Sequence, residues 1–163
     1  MSTVREILVI GGNSGIGRSA VEQLLARGNR ITALCRNPGD LHGLGIEVHP
    51  FEAEDTGALE TALPERLDGV LYCPGSITLK PFHRTSEEDF LKDYRINVLG
   101  AVRVLQAALP ALKKSDQAAV VLFSSVAAGT GMGFHSSIAT AKAGVEGLAR
   151  SLAAEWAPRV RVN

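Results

Sequence analysis

The apolar positions of this chain fall into two alternating patterns. Six short runs carry apolar, often β-branched residues almost without interruption: EILVI (6–10), RITALC (30–35), IEVHPF (46–51), DGVLYC (68–73), AAVVLFS (118–124) and RVRVN (159–163). Such runs predict strands. Between them, helical spacing of apolar residues predicts helices over Gly15 to about Arg27, near Thr56 to Leu63, about Ser86 to Leu112 and about Ser136 to Trp156. A strand covered on both faces is apolar nearly throughout rather than on alternate residues. Strand and helix in turn therefore predict an α/β fold: a doubly wound, mostly parallel sheet in a three-layer α/β/α arrangement with right-handed crossovers. No internal repeat or low-complexity linker breaks the pattern, so residues 1–163 read as a single domain. Pro110 is expected to kink or end the longest helix. The stripe of that helix (Val98, Ala101, Val102, Leu105, Leu109) is wider than one sheet contact requires. Either all of it packs in the core or part of it faces another subunit.

Composition narrows the class of partner. Of 163 residues, 45% are apolar, and 17 basic residues balance 17 acidic ones. Without net charge or a block of like charges, nothing draws the chain to nucleic acid or a membrane surface, and a small, roughly neutral ligand fits better. Apolar stretches stop well short of a membrane span and the first six residues are too polar for a secretory signal, so a cytoplasmic location is expected. Cys35 and Cys73 each end an apolar run without metal-like spacing and read as small buried thiols, with no disulfide and no metal site.

The first strand runs into GGNSGIG, where Gly11, Gly15 and Gly17 are spaced G-x-x-x-G-x-G. Glycine is required where backbone takes positive φ or comes within contact distance of a ligand. A helix opening at Gly15 aims free N–H groups and its positive end into the same space. Gly11, Asn13, Ser14, Gly15, Ile16 and Gly17 are thus expected to hold a pyrophosphate. Eighteen residues after Gly17, where a carboxylate would hold the ribose 2′-hydroxyl of NAD, stand Cys35 and Arg36. A guanidinium attracts and chelates a 2′-phosphate, which favours NADP, with NAD the alternative; Arg36 also reads as a solvated strand-end charge. After the third strand, Glu52 and Ala53 are placed to meet the adenine, and Glu52 reads equally as surface.

With these residues in hand, the chain resembles the short-chain dehydrogenase/reductase family from about Ile7 to Asn163. Gly11, Gly15 and Gly17 match the family's glycine loop, and Glu52-Ala53 resembles its acidic-aliphatic pair. Asn97, in YRINVLG, matches the asparagine of the long helix, Ser125 the catalytic serine, and Lys142 the lysine of the Y-x-x-x-K motif. The segment AGVEGLARSLAAEWAPRVRVN is similar to the stretch after that motif in other members. The resemblance implies a Rossmann-like, dinucleotide-binding domain, hydride transfer between NADP(H) and a small carbonyl or alcohol, and a homodimer or homotetramer paired through the long helices. Three departures stand out: Tyr72-Cys73-Pro74-Gly75 replaces the family's NNAG and keeps only Gly75, Ile138 replaces the motif tyrosine, and the sequence stops at Asn163 where relatives continue through a substrate-binding segment. A fragment of a longer protein is expected.

The loss at Ile138 bears on the chemistry. Carbonyl reduction needs a proton at oxygen as hydride reaches carbon, and a phenol supplies it when a nearby ammonium lowers its pKa from about 10. Spacing of four residues puts that phenol and the lysine on one helix face. By resemblance Lys142 also holds the nicotinamide ribose and, with Asn97, orders a relay water; Ile138 donates nothing. His135, one turn earlier, and Tyr72 are substitute donors, with an ordinary loop histidine and a buried strand aromatic as the plain readings. Ser125 without its tyrosine reads also as a hydroxyl capping local backbone. These residues leave two functions open: an NADP-dependent oxidoreductase of divergent mechanism, or a non-catalytic NADP(H)-binding sensor or partner subunit.

Overall fold

The computed structural model describes residues 4–53 and 59–163, and of Glu60 the backbone alone. Its strands are β1 (Glu6–Ile10), β2 (Arg30–Cys35), β3 (Glu47–Pro50), β4 (Gly69–Tyr72), β5 (Ala118–Leu122) and β6 (Val160–Val162). All pair in parallel, in the order β3-β2-β1-β4-β5-β6. The chain walks outward from β1 to β3, then crosses over to lay β4 against the other side of β1. That reversal defines a doubly wound, Rossmann-like sheet and opens a crevice at the carboxyl ends of β1 and β4. The helices are α1 (Gly15–Ala26), α2 (Leu59–Ala62), α3 (Glu87–Tyr94), α4 (Gly100–Leu112), α5 (Val126–Thr130) and α6 (Ser136–Trp156).

Alternation along the strands feeds two cores. Leu8, Ile10, Leu34, Val70, Tyr72, Val120 and Leu122 pack against Ala101, Val104, Leu105 and Ala108 of α4 and Ala141 and Val145 of α6. On the opposite face Ile7, Val9, Ile31, Ala33 and Cys35 pack against Val21 of α1 and Leu41 of a 3-10 turn, Gly39–Leu44. Both faces of β1 and β2 are therefore buried, as their unbroken apolar runs require. β3 is only half-buried, because it lies at the sheet edge.

Several expectations need correction. The helix expected near Thr56 to Leu63 is seen as Leu59–Ala62, and Thr56 lies outside the described residues. The long helix expected over about Ser86 to Leu112 is not uniform: one π turn, Arg95–Leu99, separates α3 from α4. Its start is set by a capping box, in which Ser86 Oγ accepts the Asp89 N–H and the Asp89 carboxylate accepts the Ser86 N–H. Pro110 does not stop α4 at once; the helix runs two residues further, to Leu112. The buried stripe of α4 contains Val104 and Ala108, while Val102 and Leu109 are only half-buried and sit at its margin. Cys73 is likewise half-buried, not buried like Cys35. Among the described residues no helix is long and apolar enough to cross a membrane.

Candidate cofactor cleft and proton-transfer cluster

A cleft of about 570 Å³ opens at the carboxyl ends of β1, β2, β3 and β4. Gly11, Asn13, Ser14, Gly15, Ile16, Gly17, Arg36, Glu52, Ala53 and Gly75 all line it. The glycines have distinct causes. Gly11 and Gly15 take φ of +76° and +52°, which side chains resist. Gly17 has ordinary φ, but a Cβ there would overlap the Gly11 carbonyl oxygen, so helix α1 meets the turn backbone to backbone. Ser14 makes no side-chain cap and the first turn of α1 holds no acidic residue, so the opening N–H groups are offered to the cleft rather than satisfied by side chains. A diphosphate fits that cradle.

At the end of β2, Cys35 lies buried and Arg36 exposed, and Arg36 makes no ion pair among the described residues. Glu52 is exposed and Ala53 half-buried at the end of β3. Burial raises the Cys35 thiol and pushes that of Cys73 up to about 11, so both thiols are protonated linings of the cleft rather than nucleophiles.

Asn97, Lys142 and Ser125 lie apart from the glycine cradle. Gly75 links the first two to the cleft: a Cβ on it would stand 3.4 Å from Asn97 Oδ1 and 3.8 Å from Lys142 Nζ. Lys142 Nζ donates to the Phe123 carbonyl at 2.7 Å, fixing it at the end of β5, and desolvation lowers its pKa. Asn97 is 1% exposed and lies in the π turn; its Nδ2 donates to the Asp93 carbonyl at 2.8 Å and to Ser76 Oγ at 3.1 Å, leaving Oδ1 buried without a partner. Ser125 is the N-cap of α5, accepting the Ala127 N–H at 3.2 Å. Its neighbour Ser124 donates to Glu146 at 2.7 Å.

The substitute donors fare differently. Tyr72 is 3% exposed, and its hydroxyl donates to the Ile96 carbonyl at 2.6 Å, with burial raising its pKa well above the usual phenol. It is the buried strand aromatic, not a donor facing the cleft. His135 sits at the N-cap of α6 with Nδ1 2.6 Å from the Gly133 carbonyl. Ile138 is 3% exposed.

Sequence reading missed Ser76, Lys92, Ile96 and Asn37 on the cleft wall, and the buried Asp93 beside it. Only one signal pointed to any of them: Ser76 comes directly after the glycine of the altered YCPG turn. Asp93, in EEDFLKDY, carries no signal distinguishing it from a solvated helix charge. The loops after β4 and β5, tied by the Lys80 N–H donating to the Phe134 carbonyl at 3.1 Å, also expose Ile77, Leu79, Phe82, Met132 and Phe134.

Comparison with known proteins agrees with this arrangement. The family model for short chain dehydrogenases matches residues 5–163. The chain belongs to the short-chain dehydrogenase family. It is 33% identical over 155 residues to the 3-oxoacyl-[acyl-carrier-protein] reductase MabA of Mycobacterium tuberculosis, covering 93% of this chain and 63% of that protein. An uncharacterized oxidoreductase of the same species is 36% identical over 175 residues, with coverage of 98% and 65%. The chain thus spans a little under two thirds of the length of these relatives. Among solved structures, a short chain dehydrogenase from Shigella flexneri complexed with NADP superposes with a TM-score of 0.90 at 28% identity, covering 98% of this chain and 74% of that one. One from Escherichia coli gives 0.89 at 29% identity, with coverage of 98% and 78%.

Proposed function

We propose that this chain binds NADP(H) in the cleft and serves hydride transfer between that nucleotide and a small carbonyl or alcohol. The observation that carries the reading is the cradle itself. Gly11 and Gly15 turn the backbone, Gly17 brings α1 against it, and the open N–H groups of α1 face the cleft with no side-chain acceptor. Arg36 on the same wall, with no carboxylate at the end of β2, suits a 2′-phosphate. Asn13 to Gly17 would hold the diphosphate, Glu52 and Ala53 the adenine side, and Gly75 with Lys142 the nicotinamide ribose.

The nucleotide supplies or takes the hydride. The chain's own residues orient it, and Lys142, with two protons left after its bond to Phe123, is the cation nearest Gly75 to do so. Support for a carbonyl substrate comes from the relative named as a 3-oxoacyl reductase. Binding without turnover is the second reading, and Ile138 in place of a phenol is the observation that favours it. Pairing of two copies into a homodimer or homotetramer through the long helices, α3 with α4 and α6, belongs to the same proposal, supported by exposed Leu91 and Tyr94 and by the margin of the α4 stripe.

Calorimetric titration with NADPH and NADH is the test, followed by loss of NADPH absorbance with acetoacetyl-CoA and with phenanthrenequinone as carbonyl probes. NADPH should bind tighter than NADH by about tenfold or more, a preference that Arg36→Ala removes, since one charged hydrogen-bonding contact contributes about 1.5–3 kcal/mol. Absence of binding by either nucleotide overturns the reading.

A further inference from the structure

Asp93 has no exposed surface and no ion-pair partner among the described residues. An isolated carboxyl is seldom placed so, because burial without a cation is costly unless hydroxyls or amides take its oxygens. Here two hydroxyls do: Ser76 Oγ lies 2.6 Å from Oδ1 and Ser137 Oγ 2.6 Å from Oδ2. Ser137 precedes Ile138 on α6, and its hydroxyl also lies 3.0 Å from the Asp89 carbonyl. Ser76 differs from Ser137 in one respect that matters. It is half-buried and lines the nucleotide cleft beside Gly75, whereas Ser137 is 1% exposed.

The bonding capacity of Ser76 is nearly used up. Its proton goes to Asp93, and one lone pair accepts Asn97 Nδ2 at 3.1 Å, which leaves one lone pair for a donor in the cleft. An alcohol O–H is such a donor. We propose that Ser76 is the catalytic hydroxyl that moves the proton in this site, backed by the buried carboxyl of Asp93, in place of the phenol that Ile138 cannot provide. This rests on the oxidoreductase reading above.

In alcohol oxidation the substrate O–H bond breaks and its proton passes to Ser76 Oγ, while the Ser76 O–H bond breaks and that proton passes to Asp93 Oδ1. The carbinol carbon is oxidised to a carbonyl as its hydride goes to NADP. Asp93 then returns its proton to water through the same hydroxyl. Reduction runs the bonds in reverse: Asp93 gives a proton to Ser76, Ser76 gives its own to the substrate oxygen, and NADPH is oxidised. One proton from water is consumed per carbonyl. Asn97 and Ser137 are positioning residues, the first aiming Ser76 and the second holding the far carboxyl oxygen.

The competing account is that Ser76, Asp93 and Ser137 merely brace the β4 loop, α3 and α6 together. Activity and nucleotide affinity separate the two, and stability reports whether the pair is coupled. With NADPH and the two carbonyl probes, Ser76→Ala should slow NADPH oxidation by about 100-fold or more, the usual range for a lost proton donor. Calorimetric NADPH affinity should stay within about twofold, since nothing that holds the nucleotide is removed. Ser76→Thr, which keeps a hydroxyl, should restore most of the rate, and Asp93→Asn should slow the reaction. Thermal midpoints of Ser76→Ala, Asp93→Asn and the double variant should be non-additive, reporting the pair without turnover. If Asp93→Asn does not fold, the alanine and threonine variants carry the test. The inference is overturned by a wild-type rate in Ser76→Ala, by equal slowing in the alanine and threonine variants, or by loss of rate and affinity together. It is also overturned if the wild type binds NADPH and reduces neither probe, which leaves the binding part of the reading intact. Failure to bind nucleotide removes that reading, and this inference with it.

Discussion

Two glycines six residues or fewer from Gly11 shape the turn after β1 for different physical reasons, and the difference is measurable. Gly15 needs its positive φ but has open space where a Cβ would go; Gly17 has ordinary φ and no space at all against the Gly11 carbonyl oxygen. Alanine at 15 costs the left-handed conformation, about 1–2 kcal/mol. Alanine at 17 must push α1 away from the turn, a rearrangement of about 1–3 kcal/mol that also displaces the backbone lining the cleft. Urea unfolding should show both variants destabilised, but NADPH titration should show the larger loss of affinity for Gly17→Ala. Equal losses would mean that close approach of α1 is not what forms the cradle. The spacing in the sequence identifies both glycines as special without revealing which constraint acts on which. Single residues are hardest to read where one side chain has two plausible partners. Tyr72, Ser125 and His135 each kept a plain alternative in the sequence; the structure gives Tyr72 to the Ile96 carbonyl and Ser125 to the Ala127 N–H.

At the scale of elements, the strands and the ends of α1 and α6 were legible because burial and helical spacing repeat over many residues. The π turn was not, since YRINVLGAV keeps an acceptable helical pattern with or without one extra residue per turn. Its cause is tertiary. Tyr72 reaches from β4 to the Ile96 carbonyl inside the turn, and Gly100 on the next turn leaves room, because a Cβ there would overlap the Tyr72 hydroxyl. The same distortion sets Asn97 beside Ser76, so strand, π turn and candidate chemistry form one unit. Tyr72→Phe leaves the carbonyl without its donor and should cost about 1–3 kcal/mol in denaturant unfolding. Gly100→Ala alone should be more damaging, and combining it with Tyr72→Phe should recover part of the loss, because the overlapping oxygen is gone. Additive effects would show that Gly100 is required for another contact, Ala53 being the next nearest at 3.1 Å.

For the whole molecule, strand order decides where a ligand can sit. The strand order reverses at β1, where the next connection crosses to lay β4 on its other side, and in such sheets the crevice at the carboxyl ends of the two strands is where ligands sit. A second concavity at the opposite end, bounded by Glu6, Asn29, Arg30, Glu47 and His49, is nearly as roomy, but Gly45 in its lining closes the 3-10 turn Gly39–Leu44 instead of opening a helix, and among the described residues no helix N-terminus lines it. Alternating strands and helices made this architecture readable from the sequence, yet they say nothing of depth or lining, which depend on how loops after β2, β3 and β4 close over one another. Binding to the native state alone adds RT ln(1 + [L]/Kd), about 2.7 kcal/mol at about 100 times Kd. Saturating NADPH should therefore raise the unfolding free energy by about that amount. Amide hydrogen exchange should slow locally at Gly11–Gly17, Cys35–Asn37 and Cys73–Ser76, beyond the uniform slowing that global stabilisation gives the core strands. The turn at Gly28–Arg30, at the other end of the sheet, should show only the global effect. Local protection there instead would move the nucleotide to the opposite edge and detach Ser76 and Asp93 from the chemistry assigned to them.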